Sequence, residues 1–137
     1  MRKALFIVAA VALAIRLVVA LAFPTRIEGD AAGYVQFATN VLQRHVYSSA
    51  FTPPFRPTYE RVPGYPLFLA AVGVNETAAR VVQAIVDTLT CAIAGAIAFA
   101  WTNRRRAVLI AMMLAALCPY TIFYVAFLLT ETWMTFL

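Results

Sequence analysis

"ALFIVAAVALAIRLVVALAF", residues 4–23, carries a single charge, Arg16. At ~1.5 Å of rise per residue, its twenty residues make a helix ~30 Å long, the thickness of a bilayer's hydrocarbon core. The stretch therefore predicts a first transmembrane helix. A cleaved signal peptide competes with this reading, because Arg2 and Lys3 form a basic start and Ala20-Leu21-Ala22 resembles a cleavage site. Arg16 inside the apolar run, and the apolar spans that follow, favour the helix. The whole chain agrees: it has 137 residues, 64% of them hydrophobic and 12% charged, against roughly 25% charged in soluble domains.

Working outward, residues 77–101 form a second full-length span, closed by Asn103 and the triplet Arg104, Arg105 and Arg106. Residues 107–123 make a third, bent or ended near Pro119 because proline lacks the helix donor. From about residue 130 a fourth begins and stops at Leu137, short of the ~20 residues that a span requires, so the chain reads as the N-terminal part of a longer multi-pass domain covering 1–137. The expected fold is all-α and integral to the membrane: three transmembrane helices plus the start of a fourth, with a long outward loop carrying in-plane amphipathic helices.

That loop covers residues 24–76 and holds six of the seven prolines. Within it Tyr34, Phe37, Ala38, Val41 and Leu42 recur at i, i+3, i+4, i+7 and i+8, with Gln36, Thr39, Asn40, Gln43 and Arg44 opposite. Such a helix lies in the plane of the interface. Asp30 stands in its N-cap region, where a carboxylate satisfies free amides and meets the positive end of the helix dipole. Residues 64–72, "GYPLFLAAV", are too few to span and should dip into the surface.

Charge fixes the orientation. Arg2, Lys3 and the Arg104 to Arg106 triplet fall on one side, whereas the loop balances Arg26, Arg44, Arg56 and Arg61 with Glu28, Asp30, Glu60 and Glu76. Positive residues gather on the cytoplasmic side, so the N-terminus faces the cytoplasm and the loop faces outward. The formal charge of +5 is thus a topological signal. No Lys/Arg stripe interleaved with aromatics is present, and a nucleic-acid partner is not expected.

Two charges lie inside spans. Arg16 is seven residues from the outer end of the first and Asp87 ten from the outer end of the second, so their depths agree within about one turn. An isolated charge there costs about 2.5 to 3.5 kcal/mol; an Arg16 to Asp87 pair is the expected relief, with a snorkelling Arg16 as the alternative. Cys91 and Cys118 sit in apolar runs with no Cys-x-x-Cys spacing and read as buried thiols. His45 reads as an interfacial residue, and the sequon Asn75-Glu76-Thr77 as silent.

The order of these features resembles a known family: an acidic residue after the first span, an in-plane helix, a Pro-rich stretch, "YERVPGYPLFLA" at 59–70, "AARVVQAI" opening the second span, and "CPYTIFYVAFLLTETWMTFL" at the end. The chain is similar, over essentially its whole length, to the N-terminal part of the polyprenyl-phosphate-sugar-dependent glycosyltransferases of the GT-C fold. The closest likeness is to the bacterial protein mannosyltransferase-like and aminoarabinose transferase-like branch. The resemblance implies a bacterial inner (plasma) membrane enzyme whose loop 24–76 is periplasmic or extracellular. It implies a lipid-linked sugar donor among membrane lipids, and an acceptor that is a glycan, lipid or protein. It implies Asp30 as the catalytic aspartate, Glu60 as a ligand to a divalent metal ion, Arg61 as a contact for the carrier phosphate, and Glu131 as an acidic position of the second outward loop.

The residue chemistry fits that scheme. An acceptor hydroxyl that attacks an anomeric carbon sheds a proton, which a carboxylate such as Asp30 can take. The departing phosphate gains charge that an arginine fork stabilises, with Arg61 the candidate and Arg56 behind it. One carboxylate and no enzymic nucleophile imply inversion. Other readings stay open: Asp30 as a helix cap, Glu28 as a solvated neighbour, Glu60 and Arg61 as a surface ion pair, and Glu131 as a helix-start charge. A non-catalytic membrane subunit or scaffold, and a transporter fragment using Arg16 and Asp87, are the competing functions.

Overall fold

Residues 2–23 and 25–137 are described by a computed structural model, and among them every regular element is helical. In chain order these are α1 (Arg2–Ala22), α2 (Asp30–Arg44), α3 (Gly64–Ala71), α4 (Glu76–Thr102), α5 (Arg105–Ala116), α6 (Pro119–Tyr124) and α7 (Glu131–Phe136). Residue 24, where the long loop was expected to begin, lies outside the described residues.

Two helices, α1 and α4, are long and apolar enough to cross a membrane. They run antiparallel. Arg2 and Leu5 share a surface pocket with Phe99, Arg105 and Val108 at one end, and further along Arg16 meets Asp87. The Asn75 side chain starts α4 by accepting from the Ala78 amide at 2.9 Å, satisfying one of the free first-turn donors. At the other end Asn103 takes a left-handed φ of 50°, which a non-glycine residue adopts with least strain when it is Asn.

The segment 107–123, expected as a third span, is not one rod. Helix α5 ends at Ala116 and α6 begins at Pro119, because proline has no amide to continue the ladder and disfavours helix in the residue before it. The twelve residues of α5 reach only ~18 Å. The stretch from residue 130 likewise gives the six-residue α7.

Helix α5 packs along α4, and α1 closes the bundle against both. At the α4 and α5 crossing a side chain on Gly95 would meet Met112 Cγ at 2.7 Å, so glycine sets the approach. Where α5 ends, its last carbonyls lack helical partners, and Arg16 supplies them. Fully buried, it donates from Nη1 to Ala116 O at 3.2 Å and from Nη2 to Ala115 O at 3.3 Å. Its Nε meets Asp87 Oδ2 at 2.5 Å, and Nη2 also reaches Thr121 Oγ1 at 3.2 Å. The two residues matched by depth are therefore in contact, and Arg16 does not snorkel outward.

Two more polar residues line the same face of α4. Arg80 donates to Ala126 O at 3.0 Å and Thr25 O at 3.1 Å, and Gln83 Nε2 donates to Phe127 O at 2.8 Å. Together they fasten the irregular chain between α6 and α7 to the bundle.

Beyond the far end of the bundle, α2 packs on α3. The buried face of α2 holds Ala31, Tyr34, Phe37 and Ala38, but it also holds Asn40, while Leu42 is exposed. Asn40, expected on the polar side, turns inward because its amide donates to Ser48 O at 2.7 Å and Ala50 O at 2.9 Å. That side chain ties the returning loop to the helix.

Candidate functional site

The chain enters α2 through Gly29, whose φ of +57° is a conformation that glycine adopts at no steric cost. This turn puts Asp30 at the first helical position. Its carboxylate meets Arg61, 31 residues later, at 2.5 Å from Oδ1 to Nη2. The Arg61 guanidinium also lies over the Tyr34 ring, 5.0 Å from its centroid, a cation-π distance, and approaches Tyr34 Oη at 3.5 Å. The hydrogen bond to Asp30, assisted by Tyr34, holds the Arg61 pKa above the ordinary arginine value. The site keeps a permanent cation beside an anion.

Behind this pair the wall is aromatic. Tyr34 and Tyr65 meet edge to face at 5.2 Å, Tyr65 meets Phe68 at 5.7 Å, and Phe68 meets Trp133 at 4.8 Å. Tyr65 is fixed from beneath by donating to Gln83 Oε1 at 2.6 Å. Burial pushes its phenol well above the ordinary tyrosine pKa, and the charge of Glu131 adds to the rise. The four rings, with Glu60, Arg61, Val62, Gly64, Thr130, Met134 and Leu137, line a cavity of about 750 Å³. Small-molecule sites run from about 300 to 1,000 Å³ and are mostly apolar with a few polar groups.

A second cavity, about 530 Å³, is lined by Val41, His45, Tyr47, Tyr59, Arg61, Pro63 and Leu67. Arg61 belongs to both. Tyr47 stacks on Phe37 at 4.5 Å and donates from its hydroxyl to the Arg61 carbonyl at 2.9 Å. Burial raises its pKa, with Tyr34 adding and Arg61 opposing.

No protein-family model, curated protein or solved structure matches the chain. Its function is therefore read from the residues and their geometry.

The structure brings some of the expected residues together and leaves others apart. Asp30 and Arg61 form one site. Asp30 is not the cap itself, since Gly29 takes that position, although it still sits in the first turn where the helix dipole favours an anion. Arg61 was paired with Glu60 as an alternative; it pairs with Asp30 instead, and Glu60 is exposed on the wall of the larger cavity. Among the described residues no three of His, Cys, Asp and Glu gather where they could hold a metal, so Glu60 has no ligand cluster around it. Arg56 is exposed and forms no ion pair among the described residues. Glu28 faces Arg26 at 4.0 Å, both largely in solvent. Glu131 begins α7, with Oε2 buried and lacking a hydrogen-bond partner. His45 ends α2 in the left-handed region and is exposed. Cys91 and Cys118 are free thiols.

Tyr65, Gln83 and Trp133 were not foreseen as site residues. Gln83 left a signal: with Arg80 and Asp87 it repeats every three to four residues through an otherwise apolar helix, which marks one polar face.

Proposed function

We propose that the chain is part of an integral membrane glycosyltransferase that moves a sugar from a polyprenyl-phosphate carrier to an acceptor on the outer face. The observation that carries this reading is the Asp30 and Arg61 pair at 2.5 Å, with Arg61 lining an aromatic-walled cavity. The pair lies beyond the end of α1 that is remote from the basic end, as the positive-inside rule requires of an outward-facing site.

In the proposed cycle the carrier chain lies along Tyr65, Phe68 and Trp133, and its phosphate reaches the Arg61 guanidinium. The Asp30 side chain is 64% exposed, and exposed ion pairs are worth about 0 to 1 kcal/mol. The monoanionic phosphodiester of the donor can therefore take Arg61 from Asp30 at little cost. The freed carboxylate then accepts the proton of the acceptor hydroxyl as its oxygen bonds to the anomeric carbon. The bond from that carbon to the phosphate oxygen breaks with its electron pair, and Arg61 stabilises the departing phosphate. A single displacement inverts the anomeric centre. The chemistry draws on Arg61 for the phosphate charge and routes no step through a metal.

The transporter reading is less well supported, since Asp87 is taken up by Arg16 in a fully buried contact. The test is transfer of radiolabelled sugar from polyprenyl-phosphate donors by membranes carrying the protein. Asp30→Asn should lower transfer by about 10²- to 10⁴-fold, the usual contribution of a general base. Transfer undiminished in that variant would reject the reading.

A further inference from the structure

The second cavity has a chemistry of its own, and its shared wall with the first is Arg61. Its two tyrosines differ in role. Tyr47 is locked, stacked on Phe37 and hydrogen-bonded to the Arg61 carbonyl. Tyr59 is 91% exposed and contributes little to the packing of the fold. A large aromatic ring at a cavity wall and open to water is matched by a ligand that offers both an apolar face and hydroxyl groups.

Other occupants fit less well. A free anion would need a cation, and Arg61, the one arginine or lysine lining this cavity, is taken by the donor phosphate in the proposed cycle. An acyl chain would meet Val41, Pro63 and Leu67 here but would cover the Tyr59 hydroxyl and the His45 imidazole without bonding to either, which costs the hydration of both. A sugar ring has what these groups ask for: C–H faces that lie on tyrosine and hydroxyls that bond to phenol and imidazole.

We infer that this cavity binds a saccharide, and that the acceptor of the proposed transfer is accordingly a glycan hydroxyl and not a protein side chain. The substrate assignment rests on the transferase reading, while the binding site stands apart from it. The two cavities share Arg61, which Asp30 contacts, so a sugar on one side and a donor phosphate on the other would both adjoin the pair.

The test is saturation-transfer NMR on the full chain in detergent, with a panel of free glucose, galactose, mannose, N-acetylglucosamine and their disaccharides. At least one should receive saturation, strongest at the ring C–H protons. Tyr59→Ala should reduce the signal at least fivefold. Tyr59 is exposed, so its truncation leaves folding intact, which thermal unfolding verifies. Tyr120→Ala, on α6 and outside both cavities, should leave the signal unchanged. If no sugar in the panel binds, or if Tyr59→Ala binds as the unaltered chain does, the saccharide site is refuted. Sugar transfer measured in parallel separates the two ideas. Asp30-dependent transfer without saccharide binding overturns this inference alone, and Tyr59-dependent binding without any transfer overturns the transferase reading alone.

Discussion

Asp30 and Arg61 face largely open surroundings, with 64% and 34% of their side chains exposed. Their contact is therefore weak as a source of stability and strong as a means of orientation, since a guanidinium offers a rigid planar fork. Asp30→Asn and Arg61→Ala should each change unfolding stability by less than about 1 kcal/mol and, on the proposed function, sharply reduce transfer. Thermal unfolding beside the transfer assay checks that separation. Tyr65 behaves in the opposite way. Its phenol is buried and supplies the donor to Gln83 Oε1, so Tyr65→Phe should cost about 1–3 kcal/mol by leaving that acceptor unpaired. The fold raises the Tyr65 pKa above the ordinary 10.0 by excluding water. A raised value means the neutral form is favoured by folding: its stabilisation is complete below pH 10 and is lost as pH climbs above it. Denaturation at several pH values from about 8 upward should show the alkaline decline shallower in Tyr65→Phe than in the unaltered chain.

Among the elements, the joint between α1, α4 and the end of α5 depends on a single side chain. Arg16→Ala leaves Asp87 buried without its cation, and Asp87→Ala leaves the guanidinium in the same position. Each should cost about 3–5 kcal/mol, and the double variant less than the sum of the two because the lost contact is shared. Thermal unfolding of all four proteins in detergent completes the cycle; strict additivity would exclude the coupling. Gly95→Val brings a Cβ to 2.7 Å from Met112 Cγ, so Met112 or the α4 and α5 crossing must shift, at about 1–3 kcal/mol. The joint was legible in the sequence because it depends on regular features: run length gives the helices, helical rise gives the depth of Arg16 and Asp87, and Pro119 marks the break. The site was only partly legible. Asp30 was visible from its place at a helix start, and Arg61 from a local motif. Their meeting was not, since the intervening loop has no periodicity from which its path could be read. Asn40 was misplaced for a related reason: a helical wheel sorts residues by polarity, and it cannot register the Ser48 and Ala50 carbonyls that make an inward amide favourable.

For the whole molecule, the decisive property is that its two ends differ. Arg2 and Arg105 sit together at one, and α2, α3 and both large cavities lie towards the other. In the proposed topology, single cysteines in a background with Cys91 and Cys118 changed to alanine should report this directly. Thr52→Cys should react with a membrane-impermeant maleimide on intact cells, and Thr102→Cys only after permeabilisation. Labelling of both from outside would overturn the orientation.

Arg61 lines both cavities, so on the proposed function the filling of one bears on the other. An occupant that draws the guanidinium to its own side alters the surface offered to its neighbour, and thermodynamic reciprocity makes the effect equal in both directions. A transferase arranged in this way would register joint occupancy before any bond is made or broken.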